Sequence, residues 1–136
     1  MTYILDTNIC IQMLKDKSFN ILRHAKNKRQ TEIYISCITE AELWYGVWNS
    51  THKEANKETL KRFLQFFPKL KFESTHAESF GQLKAEQRKN GRILGPNDLL
   101  IAAQALDLDA TLVTANEKEF KQIKGLKIEN WLRATP

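Results

Sequence analysis

Tyr3-Ile4-Leu5-Asp6-Thr7-Asn8 is an apolar tripeptide that runs straight into a carboxylate and two turn-forming polar residues. It reads as a short buried strand followed by a polar turn. Ile33-Tyr34-Ile35 and Ala110-Thr111-Leu112-Val113-Thr114 are two more β-rich runs. Leu70-Lys71-Phe72 is a weaker one, and Lys127-Ile128-Glu129 a candidate for the last. The segments between them have helical spacing. Ile9 to Leu14, Phe19 to Arg29 and Thr39 to Asn49 are the first three. Lys53 to Phe67 is a long helix with Leu60, Phe63, Leu64 and Phe67 at i, i+3, i+4 and i+7. Thr75 to Lys89 is stopped by Asn90-Gly91, and Asn97 to Leu108 is opened by Gly95-Pro96. Glu117 to Ile123 is a short one. Strands alternating with helices predict a central parallel sheet with helices on both faces, in one domain spanning 1–136.

Composition narrows the function. Of 136 residues, 42% are hydrophobic and 27% charged, an ordinary globular balance. The 21 basic and 16 acidic residues leave a net charge of +5, which favours a polyanionic partner such as nucleic acid. No apolar run approaches the roughly 18 residues of a membrane span. The N-terminus meets Asp6 at once, unlike a signal peptide. Cys10 and Cys37 lack metal-binding spacing and read as buried thiols of a cytoplasmic protein. The glycines form neither GxGxxG nor a phosphate-binding loop. His24, His52 and His76 share no helical spacing and read as surface residues, and Ser36 lacks the GxSxG setting of a hydrolase nucleophile.

Ligands of an open parallel sheet bind beyond the carboxyl ends of its strands. Asp6 falls there, as do Thr114, Asn116 and Glu119. Glu40 and Glu42 start the helix after the second strand, and Asp98 opens the helix after Gly95-Pro96. Clustered carboxylates suit a hard cation, which clamps a phosphodiester and acidifies an attacking water. Each acid also has a plain structural reading. Asp6 could cap the first helix. Thr39 and Glu42 have capping-box spacing, which would leave Glu40 to face a metal. Asp98 suits a helix's first turn.

These blocks resemble the PIN-domain ribonucleases, especially VapC-type toxins of bacterial toxin–antitoxin pairs. The opening Tyr3 to Asn8 is similar to the family's first block. Ile38-Thr39-Glu40-Ala41-Glu42-Leu43-Trp44-Tyr45-Gly46 is similar to the second, which assigns Glu42 rather than Glu40. Gly91 to Ala102 resembles the third and assigns Asp98. Leu112 to Phe120 resembles the fourth, with Asn116 where many PIN domains carry Asp and Glu119 three residues on. The resemblance implies a three-layer α/β/α sandwich and an endoribonuclease dependent on magnesium, with manganese as substitute. Asp6, Asp98 and Glu42 would hold the metal, and Glu119 and Asn116 would complete the catalytic shell. Thr7, Asn8 and Thr114 would support substrate or carboxylates. It also implies structured RNA, usually transfer RNA, as substrate. A VapB-type antitoxin would block the site, alongside a homodimer and a toxin–antitoxin hetero-oligomer on operator DNA.

Two rivals stand beside this reading. A phosphatase with a nucleophilic aspartate also begins with a strand ending in Asp, but needs a second Asp where Asn8 stands. A non-catalytic RNA- or protein-binding module needs none of the acids. Basic residues suited to RNA phosphates lie among Lys15, Lys17, Arg23, Lys26, Lys28 and Arg29, and among Lys84, Arg88, Lys89 and Arg92. Finally, Leu43, Trp44, Tyr45, Val47 and Trp48 give one helix more apolar surface than a single core contact needs. Either it is buried all round or part of it meets another chain. The resemblance favours an antitoxin interface at Leu43, Trp44, Val47 and Trp48.

Overall fold

The computed structural model describes residues 1–15, 19–92 and 94–134; Lys17 and Ile93, both used above, lie outside the described residues. Five strands form one sheet in the order β3-β2-β1-β4-β5. They are β1 (Tyr3–Leu5), β2 (Ile33–Ser36), β3 (Lys69–Leu70), β4 (Thr111–Val113) and β5 (Lys127–Glu129). Every neighbouring pair is parallel, and Tyr3 is in register with Ile33 on one side and Thr111 on the other. The chain winds outward from β1 to β3, then returns to place β4 on the other flank of β1. The β1–β4 seam is therefore the switch point, where the carboxyl ends open a crevice.

Alternation along each strand divides the core into two layers. Tyr3, Leu5, Ile33, Ile35 and Val113 face one layer. Four helices cover it: α1 (Thr7–Leu14), α2 (Phe19–Ala25), α3 (Cys37–Trp48) and α4 (Lys53–Leu64). Ile4 and Leu112 face the other, covered by α5 (Ser74–Lys89), α6 (Pro96–Asp107) and α7 (Glu117–Phe120). This is the three-layer α/β/α sandwich expected from the alternation.

Several boundaries differ from the sequence reading, each for a local reason. Helix α3 starts at Cys37 because the Ser36 side chain accepts from the Ile38 amide and caps it. Helix α4 stops at Leu64, since Phe66 and Phe67 turn back onto the carbonyls of Phe63 and Leu64 ahead of Pro68, whose ring disfavours helix in the preceding residue. His76 is not a surface residue; it is 4% exposed, with Nδ1 2.9 Å from Asp107 Oδ2. Cys37 is half-buried rather than buried. Lys28 does not project freely, because its ammonium sits over the Tyr3 and Trp131 rings and donates to the His24 carbonyl.

Two polar devices escaped the sequence reading. Gln104 is wholly buried; its Oε1 accepts from Ser36 Oγ at 2.5 Å and its Nε2 donates to the Lys71 carbonyl at 3.1 Å. It joins α6 to the ends of β2 and β3. The segment after β5 straps α2 to α7. Asn20 donates to the Leu132 carbonyl, while Asn130 and Arg133 both reach Glu117 Oε2, at 3.0 and 2.6 Å.

Candidate active site

Asp6 follows β1 directly, its amide donating to the Val113 carbonyl at 3.0 Å across the β1–β4 seam. Its Oδ1 accepts from the Ile9 amide at 2.9 Å, so the capping reading of Asp6 holds. The residue is also only 3% exposed, and an ordinary cap sits in water. Burial raises its carboxyl above the usual range, and the charge of Glu42 adds to the rise. The Thr114 hydroxyl and the amides of Ile9 and Asn8 pull the other way.

Glu42 stands one turn and a half into α3, beyond reach of its N-terminus. The capping box of Thr39 and Glu42 is therefore overturned: the cap is Ser36, three residues earlier. Glu42 Oε1 instead accepts from Thr7 Oγ1 at 2.6 Å, and the Thr7 oxygen lies 3.1 Å from Thr39 Oγ1. Two hydroxyls thus steady one carboxylate. Glu40 is not part of the cleft that Glu42 lines, being two residues away on a helix and so on the opposite side.

Asp98 lies in the first turn of α6, after Gly95 and Pro96, with Pro preset for the opening helical position. Burial lifts its carboxyl to about 6, reinforced in order by the charges of Asp6, Glu42 and Glu119. Asp98 therefore feels acids from three other segments. Asp6, Glu42 and Asp98 share a single open cleft of about 570 Å³, with Thr7 and Asn8 on its wall. Glu119 is exposed and accepts from Asn116 Nδ2 at 2.9 Å, so the Asn116 amide orients an acid rather than facing the cleft. Thr114 is buried, accepting from the Asn116 amide and bonding to Asp6.

Among the described residues, none of these three cleft carboxylates makes an ion pair. Their donor set is all oxygen, partly buried and mutually repelling, which fits a hard divalent cation. Among the described residues, no group of three or more acidic, histidine or cysteine side chains is placed to hold a metal ion by itself.

The PIN domain family profile matches residues 3–126. The chain belongs to the PIN-domain family. It is 44% identical to Ribonuclease VapC2 of Rickettsia felis, over 96% of this chain and 98% of that one. It is 35% identical to the tRNA(fMet)-specific endonuclease VapC of Shigella flexneri, again over 96% and 98%. The solved structure of DNA-bound VapBC from Salmonella typhimurium superposes with a TM-score of 0.91 at 34% identity, covering 96% of this chain and 98% of that one. PIN-domain ribonucleases are in general dependent on a divalent metal.

The outer side of α3 in this PIN domain is open. Leu43 and Val47 are buried in the core, and Trp44 is half-buried, but Tyr45 is 69% and Trp48 52% exposed. The all-round burial of α3 is thereby ruled out. Trp44 and Trp48 stack at 6.1 Å between ring centres. Lys15, Lys26, Arg29, Lys84, Arg88, Lys89 and Arg92 are exposed as expected of solvated or RNA-facing cations. No helix among the described residues is long and apolar enough to cross a membrane.

Proposed function

We propose that this PIN domain is the toxin of a toxin–antitoxin pair, an endoribonuclease that uses magnesium to cut structured RNA. The observation that carries the reading is the convergence of Asp6, Glu42 and Asp98, uncompensated by any ion pair among the described residues, in one cleft at the switch point. Those three residues would hold the cation, with Mn²⁺ as substitute. Glu119, steered by Asn116, would take its outer water or a second ion. Bound magnesium would screen the phosphate charge and make a water more acidic. Glu42, bonded to Thr7, would orient that water, and Asn8 at the cleft wall would donate to a phosphate oxygen. Thr114 keeps Asp6 aimed.

Transfer RNA is the proposed substrate class, supported by the name of the Shigella relative. A VapB-type antitoxin is the proposed inhibitor, supported by the DNA-bound VapBC complex of a 34% identical neighbour. Trp44 and the exposed Trp48 are its proposed contact on this chain, with Trp48 as anchor; Leu43 and Val47 face the core and are not available to it. A homodimer and an antitoxin-mediated complex on operator DNA complete the assembly, in the cytoplasm. The phosphatase reading fails at Asn8, and a binding-only module leaves three unpaired carboxylates without a purpose.

The test is incubation of purified protein with total RNA. Discrete fragments should appear with magnesium and vanish with a chelator, and RNA affinity should fall steeply with salt as phosphate counterions are released. Intact RNA under all metals would sink the reading.

A further inference from the structure

We propose that the Tyr45 ring is a stacking platform for an unpaired base beside the scissile phosphate. This deepens the ribonuclease reading and rests on it. Glu42, Tyr45 and Gly46 stand at i, i+3 and i+4 on α3, so they share one helix face. All three line the cleft that Asp6 and Asp98 also line. The ring therefore projects beside the carboxylates, not on a remote surface.

The other aromatics of α3 are already engaged. Trp44 stacks on Trp48, and the Lys57 ammonium lies 5.9 Å from the Trp48 ring centre. Tyr45 has neither a ring partner nor a hydrogen bond to its hydroxyl among the described residues. Its neighbour Gly46 leaves the adjoining space clear, since a Cβ there would meet nothing within 4 Å. The cleft of about 570 Å³ is in the size range of small-ligand sites and takes a nucleotide.

The electrostatics argue for a base. A cleft of three carboxylates repels a phosphate backbone wherever no cation intervenes. An uncharged aromatic face adds attraction without adding charge, and every base offers a π-face to it. A base held in a duplex stack cannot reach the ring. Tyr45 thus selects loops and bulges over paired RNA.

The experiment uses the cleavage-dead Asp98→Asn protein and two RNA probes of equal length and charge, a uridine oligonucleotide and its abasic counterpart. Adding Tyr45→Ala should weaken binding of the uridine RNA about tenfold or more, with no change on the abasic RNA. Tyr45→Phe should stay within about twofold. Equal losses on both probes, or no loss on either, overturn the proposal. So does a Tyr45→Ala protein that binds both RNAs normally yet loses a protein antitoxin. The two readings fail separately. A wild-type protein that cleaves RNA while Tyr45→Ala binds normally sinks only the stacking site. A protein that shows the base-dependent difference but no metal-dependent cleavage sinks only the nuclease.

Discussion

Thr7 Oγ1 donates to Glu42 Oε1 at 2.6 Å, tying the start of α1 to the middle of α3. The bond holds one carboxylate of the cleft in a fixed rotamer, and a hydroxyl of that kind acts through the acid it orients. Thr7→Val keeps the shape and removes the donor. Metal affinity, read by Mn²⁺ titration, should fall about 10- to 100-fold, with the melting temperature little changed. Thr7→Ser should restore it. An unaltered Mn²⁺ isotherm for Thr7→Val would show that Glu42 needs no such support.

Asp98, at about 6 against an ordinary 3.8, gives the metal-free protein a distinctive pH response. A carboxyl raised in the folded state binds its proton more tightly there than in the unfolded chain. Its stabilising contribution is present below about pH 4 and is lost as pH climbs to about 6. Urea midpoints without metal should therefore carry a falling component between those values, absent in Asp98→Asn. Divalent cations should bind more tightly as pH rises through the same window, because they compete with that proton. Identical pH slopes for the wild type and Asp98→Asn would contradict this.

Asp6→Asn and Asp98→Asn should each abolish RNA cleavage with the fold intact. Asn caps a helix about as well as Asp, so the Ile9 contact survives the first change. Both remove a repelling charge, so metal-free stability should hold or rise. Activity assays and thermal melts on the same preparations decide it; near-wild-type cleavage by either protein ends the metal-site reading.

Gln104→Leu should destabilise the fold by about 2 kcal/mol. It leaves the buried Ser36 hydroxyl without the acceptor it donates to, and removes the bond to the Lys71 carbonyl. Chemical denaturation measures the loss, and a neutral result would mean that these groups find other partners.

Trp48→Ala should weaken antitoxin binding by about 2 kcal/mol or more, the effect of losing an aromatic anchor. The protein should stay folded and keep metal-dependent cleavage, because Trp48 is half-exposed and outside the acid cleft. Calorimetry with the co-expressed antitoxin tests the pair, and unchanged affinity removes Trp48 from the interface.

The strands were legible because Tyr3-Ile4-Leu5 and Leu112-Val113 are apolar on both faces, as only central parallel strands need to be. Their order gave the edge to which Asp6 and Asp98 belong. Glu42 was ambiguous between cap and site, because Ser36 and Thr39 are both good caps and local spacing does not choose between them. The resemblance chose Glu42, and the structure puts that side chain on the wall of the cleft with Asp6 and Asp98, bonded to Thr7. Gln104 and His76 were not legible. A buried Gln in an Ala-rich helix looks like any surface Gln until its partners, Ser36 and Lys71, arrive from distant sequence. Likewise His76 is hidden by Asp107, a residue 31 positions away.

The central place of β1 has a consequence for synthesis. The first strand to leave the ribosome is flanked by β2 on one side and by β4, the fourth, on the other. Asp6 obtains its Val113 and Thr114 partners only when that fourth strand emerges, and Asp98 arrives only shortly before it. A nascent chain thus carries Asp6, and soon Glu42, long before Asp98. Closing the acid cleft is therefore a long-range event of folding, since its walls come from the end of β1 and from the distant α6–β4 region.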